Sequence, residues 1–222
     1  AIEGVRVLEE LAPFLIDLDR PRPRHDRVWM FVEGRDAARD VVARAHVVVG
    51  CPAEQLAARQ LYDSVVAPGR AAIDLAARID ELNKECDARW QRRLDVRMGL
   101  DSGEIVAGLF GGNRLANYSV AGPAVDFARR LCSASSSYGA RILIGPDAYS
   151  PAAESLEVRP IEILKVSARR RRVEIYEILT AKHGLSPERE RSRDHFWTGV
   201  LHYREKQWEK AVDEFTKARI TG

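Results

Sequence analysis

The chain has 222 residues, 45% hydrophobic and 31% charged, enough for one medium domain with its own core plus a small appendage. A net charge of +2 gives no global case for nucleic-acid binding. The three cysteines, Cys51, Cys86 and Cys132, are odd in number and widely spaced, which disfavours a disulfide framework or a zinc site and fits a reducing cytoplasm.

No apolar run approaches the roughly 18 residues of a membrane span, and no signal-peptide pattern opens the chain. The sequence begins without Met and in helical character, as expected of a cytoplasmic piece of a longer protein whose membrane region would lie outside it. Val5 to Leu18 reads as an apolar helix or helix-plus-strand, and Asp19 to Asp26, with its two prolines, as a linker, so 1–26 form an N-terminal segment. Arg27 to Val32 is β-rich, bounded by Gly34, and is expected to be the first core strand. Asp36 to Ala45 is helical in composition, and His46 to Val49 is a β-branched run that stops at Gly50, Cys51 and Pro52.

Pro68 to Cys86 places Ala72, Ile73, Ala76, Ile79 and Leu82 at helical spacing. Leu94 to Leu100 alternates as a strand, Glu104 to Phe110 follows as a second, and Asp101, Ser102 and Gly103 form the expected tight turn between them. Tyr118 to Ala121 is a short strand, after which Pro123 opens a helix to about Ser133. Arg141 to Ile144 is a buried strand. Ile161 to Val166 and Val173 to Ile178 form a hairpin whose turn holds the longest basic run, Arg169 to Arg172. That run is either a solvated turn or a contact for phosphate or an acidic partner.

Residues 183–194 are charged and read as a linker. From His195 to the end at 222 the composition changes: Phe196, Gly199, Leu201, Tyr203, Trp208, Ala211, Phe215 and Ala218 resemble in spacing the two helices of a tetratricopeptide repeat. One such unit cannot bury its own face, so it must pack on the main domain or continue into further residues. Trp197, Tyr203 and Trp208 are either interface aromatics or, more plainly, interior residues of the helix pair.

The stretch Val96 to Gly111 (VRMGLDSGEIVAGLFG) resembles the central hairpin of class III nucleotide cyclases, and Tyr118 to Leu131 (YSVAGPAVDFARRL) resembles that family's strand-turn-helix. Tyr138 to Ile144 (YGARILI) and Val173 to Glu177 (VEIYE) fit its closing strands. The resemblance implies an α+β, ferredoxin-like βαββαβ domain over 27–182, with the C-terminal helical hairpin appended. A trailing aromatic-rich helical repeat is also familiar from bacterial cyclases that carry an extracellular CHASE2 sensor upstream.

The family cyclises a nucleoside triphosphate by attack of the 3′-hydroxyl on the α-phosphate, with two Mg²⁺ or Mn²⁺ ions held by two carboxylates and cations on the phosphates. The site is usually shared across a dimer. The resemblance places the first metal carboxylate at Glu33, where the family has Asp, and the second at Cys51, whose thiol is a poor Mg²⁺ ligand. It places base reading at Val47 and Ser119 and ribose orientation at Asp126, where the family has Asn; by their own lack of a side chain, Gly108 and Gly111 let a backbone or a nucleotide come close. The arginine one helical turn on is kept as Arg130, and the phosphate lysine falls near Ser167, with Ala168 after it. The bland alternatives are Arg130 as a surface or ion-paired helix arginine, Asp126 as a cap or an ion partner of Arg129 or Arg130, and Cys51 as a small buried hydrophobe. The interval from Glu33 to Gly50 is also short for the family.

Two functions are carried forward from these positions. One is a degenerate, regulatory cyclase-fold module that forms a homodimer or pairs with another cyclase-type domain, with a nucleotide as a possible ligand. The other is an active adenylate or guanylate cyclase in which Asp36 or Asp101 joins Glu33 at an unusual metal site.

Overall fold

Two β-rich runs joined by a short connection open the architecture. The computed structural model describes residues 27–35, 41–50, 58–91, 93–103, 105–112, 115–166 and 171–221. The segments expected over 5–26, together with Asp36, Cys51 and Ser167, lie outside these. Strand β1 (Arg27–Arg35) pairs antiparallel with β2 (Val41–Gly50), from Arg27 opposite Gly50 to Arg35 opposite Val41. The helix expected over Asp36 to Ala45 is therefore wrong from Val41 onward. Val41, Val42 and Val47 to Val49 favour a pleated surface, and β1 supplies the ladder that helical composition alone does not reveal. No helix pair fits between Glu33 and Gly50, so their short separation is that of a hairpin.

Helix α1 (Ala58–Trp90) contains the helix read from Pro68 to Cys86 but begins ten residues before Pro68. Its buried residues Ala72, Leu75, Ala76 and Ile79 share one core with Val96, Met98 and Leu100 of β3 (Asp95–Gly103). Strand β3 pairs with β1 over its full length, from Arg35 opposite Asp95 to Arg27 opposite Gly103. Asp101 to Gly103 are thus part of the strand and not a turn. The next strand, β4 (Val106–Gly112), does not return along β3. It pairs with β5 (Leu115–Ala121) in a separate two-stranded ribbon. The short gap before β4 looks like hairpin chemistry in sequence, but β1 already occupies the edge of β3 that a hairpin would need.

Helix α2 (Pro123–Ala134) covers the second face of the sheet. Strand β6 (Ile142–Ile144) lies parallel to β3, and the seven-residue α3 (Pro146–Ala152) follows it. Strands β7 (Leu156–Val166) and β8 (Arg171–Ala181) form the expected hairpin, lengthened at both ends. The main sheet runs β2-β1-β3-β6-β8-β7. Helices on both faces of a mixed sheet make this an α+β fold of the kind the resemblance implies.

Two helices, α4 (Pro187–Arg204) and α5 (Trp208–Thr221), close the chain. Helix α4 begins inside the expected linker, because Pro187 sits in its first turn and the Ser186 hydroxyl accepts from the Arg189 amide. The two helices approach closely at Gly199, where an added Cβ would lie 2.7 Å from the Phe215 ring. The pair packs on the main domain and not only on itself. Trp197 reaches Tyr176 of β8 at 6.4 Å between ring centroids, and Tyr176 reaches Tyr149 of α3 at 4.3 Å. Arg193 of α4 is paired with the buried Glu157 of β7. Tyr203 and Trp208 are exposed and meet edge to face at 5.3 Å, so of the three aromatics none is an interior residue of the helix pair alone. Among the described residues no helix is long and apolar enough to cross a membrane.

Candidate functional site

The candidate positions gather around the β4–β5 ribbon and the helix that follows it. In the ribbon Gly108 stands directly opposite Ser119. Strand β5 then turns into α2 through Gly122, whose φ of 149° lies where side chains other than glycine are strained. Pro123 starts the helix, its missing amide being one that no helical carbonyl would have accepted.

Helix α2 is sharply two-sided. Ala124, Val125, Phe127, Ala128, Leu131 and Cys132 are buried against the sheet. Contact with β3 is close because Gly99 has no side chain: a Cβ there would sit 2.1 Å from the Ala128 carbonyl oxygen and 2.6 Å from the Cys132 nitrogen. The opposite face carries Asp126, Arg129 and Arg130, all exposed. The Asp126 carboxylate lies 3.7 Å from the Arg129 guanidinium, so of the two partners anticipated for it the structure selects Arg129. Asp126 also occupies the acidic first turn of the helix, where a negative charge is favoured by the exposed amides. Arg130, one turn on, has no hydrogen bond or ion pair among the described residues.

The remaining positions do not join this group by any contact the structure describes. Glu33 lies on β1 opposite Arg97 and Arg44, and Val47 lies on β2 opposite Met30. Cys51 and Ser167 fall outside the described residues. Asp101, a proposed acidic partner for Glu33, is opposite Trp29, four residues along β3 from the position facing Glu33. At about 3.3 Å per residue that is about 13 Å along the strand, too far for one ion with carboxylate bonds of about 2.1 Å. Asp101 is also fully buried, and its Oδ1 lies 2.4 Å from where a Cβ on Gly145 would stand, against the first turn of α3. This packing gives the carboxylate a structural place near a helix N-terminus. Glu33 and Asp101 therefore do not form the paired-carboxylate arrangement that holds two divalent ions, and Asp36, the other acid considered, lies outside the described residues. Among the described residues, no cluster of three or more His, Cys, Asp or Glu side chains is set to hold a metal.

Residues 46–180 match a protein family, the adenylate and guanylate cyclase catalytic domain. The matched span runs from inside β2 to one residue short of the end of β8, and Glu33 precedes it. The fold is similar to that of the adenylyl cyclase CyaB from P. aeruginosa, at 19% identity over 74% of this chain and 100% of that one, with a TM-score of 0.57. It is similar to the guanylyl cyclase Cya2 at 16% identity over 74% of this chain and 98% of that one, with a TM-score of 0.55. A bacterial light-regulated adenylyl cyclase aligns at 11% identity over 98% of this chain and 67% of that one, with a TM-score of 0.52. No curated protein matches the sequence.

Proposed function

Because this chain belongs to the adenylate and guanylate cyclase catalytic-domain family, we propose that it serves cyclic-nucleotide signalling as a catalytically degenerate, regulatory partner domain. The observation that carries this reading is Asp126. Where the resemblance implies a neutral amide beside a polyphosphate, this chain has a carboxylate, and that carboxylate is engaged with Arg129. A negative charge there repels the substrate and donates nothing to the ribose. Loss of the lysine at Val47 and of the cation at Ser167 removes further electrostatic stabilisation, at about 10²–10³ in rate per group. Such a domain works by pairing with a second copy or with an active cyclase-type subunit.

Active members of the family generally use Mg²⁺ or Mn²⁺; among the described residues Glu33 and Asp101 stand too far apart along the sheet to share an ion. A second reading, an active cyclase with an unusual site, is favoured by Arg130. This arginine is exposed, unpaired among the described residues, and available either to its own site or to that of a partner.

The test is an assay of the purified chain with ATP or GTP and Mn²⁺ or Mg²⁺, scored for cyclic nucleotide. The expected result is no product, with restored product only on mixing with an active cyclase-type partner that Arg130→Ala weakens. Cyclic nucleotide from this chain alone, lost on Glu33→Ala, overturns the degenerate reading and establishes the second one.

A further inference from the structure

Four arginines converge on one cleft where β7 and β8 meet α4 and α5: Arg159, Arg189, Arg193 and Arg219. The cleft has a volume of about 590 Å³. Small-molecule sites span about 300–1,000 Å³. A single acid, Glu177, lines it. Two of the arginines are committed within the fold. Arg159 donates from Nε to Glu177 at 2.6 Å, and Arg193 is held by Glu157 and by Asp194 at 2.7 Å. Arg189 and Arg219 are exposed, and neither side chain has a hydrogen bond or ion pair among the described residues.

Apart from Ser192, whose hydroxyl donates to the Ala218 carbonyl, the rest of the wall is apolar. The rings of Phe196 and Phe215 lie 5.4 Å apart, and Leu179 and Leu185 border them. The Arg159 guanidinium stands 4.9 Å from the Phe196 ring centre, so the aromatic surface and the positive charge are continuous. Two uncommitted guanidinium forks beside a pair of aromatic rings form a receptor for a phosphate attached to a flat ring. A simple inorganic anion would leave the aromatic wall unused, and a neutral ring would leave the charges unmet.

We propose that this cleft is a binding site for a nucleoside monophosphate, with its phosphate between Arg189 and Arg219 and its ring on the Phe196–Phe215 wall. No lining residue belongs to β4, β5 or α2, so this site is separate from the candidate cyclase site and stands or falls independently of it. Because sheet strands and terminal helices both line it, a ligand there binds the docked arrangement of the helix pair and stabilises it.

Calorimetric titration of the full chain tests this, with AMP, adenosine and inorganic phosphate as probes. AMP is expected to bind, with adenosine and phosphate each at least about tenfold weaker. Arg189→Ala with Arg219→Ala should weaken AMP by about tenfold to a hundredfold, while replacing the exposed Arg78 of α1, which is not part of the cleft lining, by Ala leaves it unchanged. Both substituted arginines are exposed, and an unshifted thermal melt of the unliganded double variant verifies that the fold survives. Absence of AMP binding, binding indifferent to the double variant, or binding lost on Arg78→Ala each overturns the proposal. Phosphate binding as tight as AMP overturns its ring-bearing ligand.

Discussion

Gly99→Ala tests the contact on which the geometry of α2 depends. The new methyl would sit 2.1 Å from the Ala128 carbonyl oxygen, 2.6 Å from the Cys132 nitrogen and 3.1 Å from the Leu131 Cβ. The first two obstacles are backbone atoms, so no side-chain rotation relieves them. A tolerable carbon–oxygen contact is about 3.3 Å, so α2 must lift from β3 by about 1 Å. Overpacking of this kind costs about 1–3 kcal/mol and more where backbone must move, and we expect about 3 kcal/mol or above. For a domain of this size that lowers the melting temperature by about 6–12 °C. Denaturant unfolding followed by circular dichroism gives the free energy directly. Gly139→Ala is the control: its φ of 62° disfavours alanine, yet nothing lies within 4 Å of the added carbon, so only the conformational cost of about 1–2 kcal/mol applies. A loss at Gly99 below about 1 kcal/mol, or no larger than that at Gly139, would refute the close packing of α2 on β3.

The buried Glu157 should make stability depend on acid. Burial pushes its carboxyl up, but the His183 amide, Lys182 and Arg193 outweigh burial and hold it below its ordinary 4.5. Its contribution is therefore complete above about pH 4.5 and is lost as pH falls through the folded value. Urea titrations at falling pH should show this loss, and Glu157→Gln should flatten that part of the profile. At neutral pH the same variant leaves Arg193 short of its buried partner and should cost about 2–4 kcal/mol, with Glu157→Gln/Arg193→Met recovering part of it in a double-mutant cycle. Trp197→Ala removes the ring that reaches Tyr176 and should cost about 3 kcal/mol and speed proteolysis within α4 and α5, as read by limited digestion. Asp126→Asn removes an exposed ion pair and a first-turn charge, should cost under about 1 kcal/mol in a thermal melt, and should not by itself produce turnover in the cyclase assay.

The sequence made the α2 face legible because three local signals coincide: Gly122 before Pro123, an apolar period of three and four, and charges confined to the remaining positions. Arg27 to Val32 and the β7–β8 hairpin are readable for a similar reason, the first as an apolar, β-rich run bounded by Gly34 and the second as two runs rich in Val and Ile separated by a basic break. Pairing was the part that failed. Asp101 to Gly103 carry turn chemistry, yet β1 extends β3 through them, and nothing local specifies which distant strand occupies an edge. Pro68 likewise suggested a boundary, although only the helix around it decides whether its missing amide is tolerated. The arginine cleft went unseen because 183–194 reads as polar linker. Arg189, Arg193 and Phe196 follow one another at spacings of four and three, a helical face whose signal is legible once Ser186 and Pro187 are taken as a helix start.

The row of tilted rings Tyr149–Tyr176–Trp197 crosses from a short helix through a strand of the main sheet to the penultimate helix. A reorientation of the last two helices must therefore move Trp197 against Tyr176 and, through it, Tyr149, so the C-terminal pair cannot shift without disturbing side chains packed on the main core.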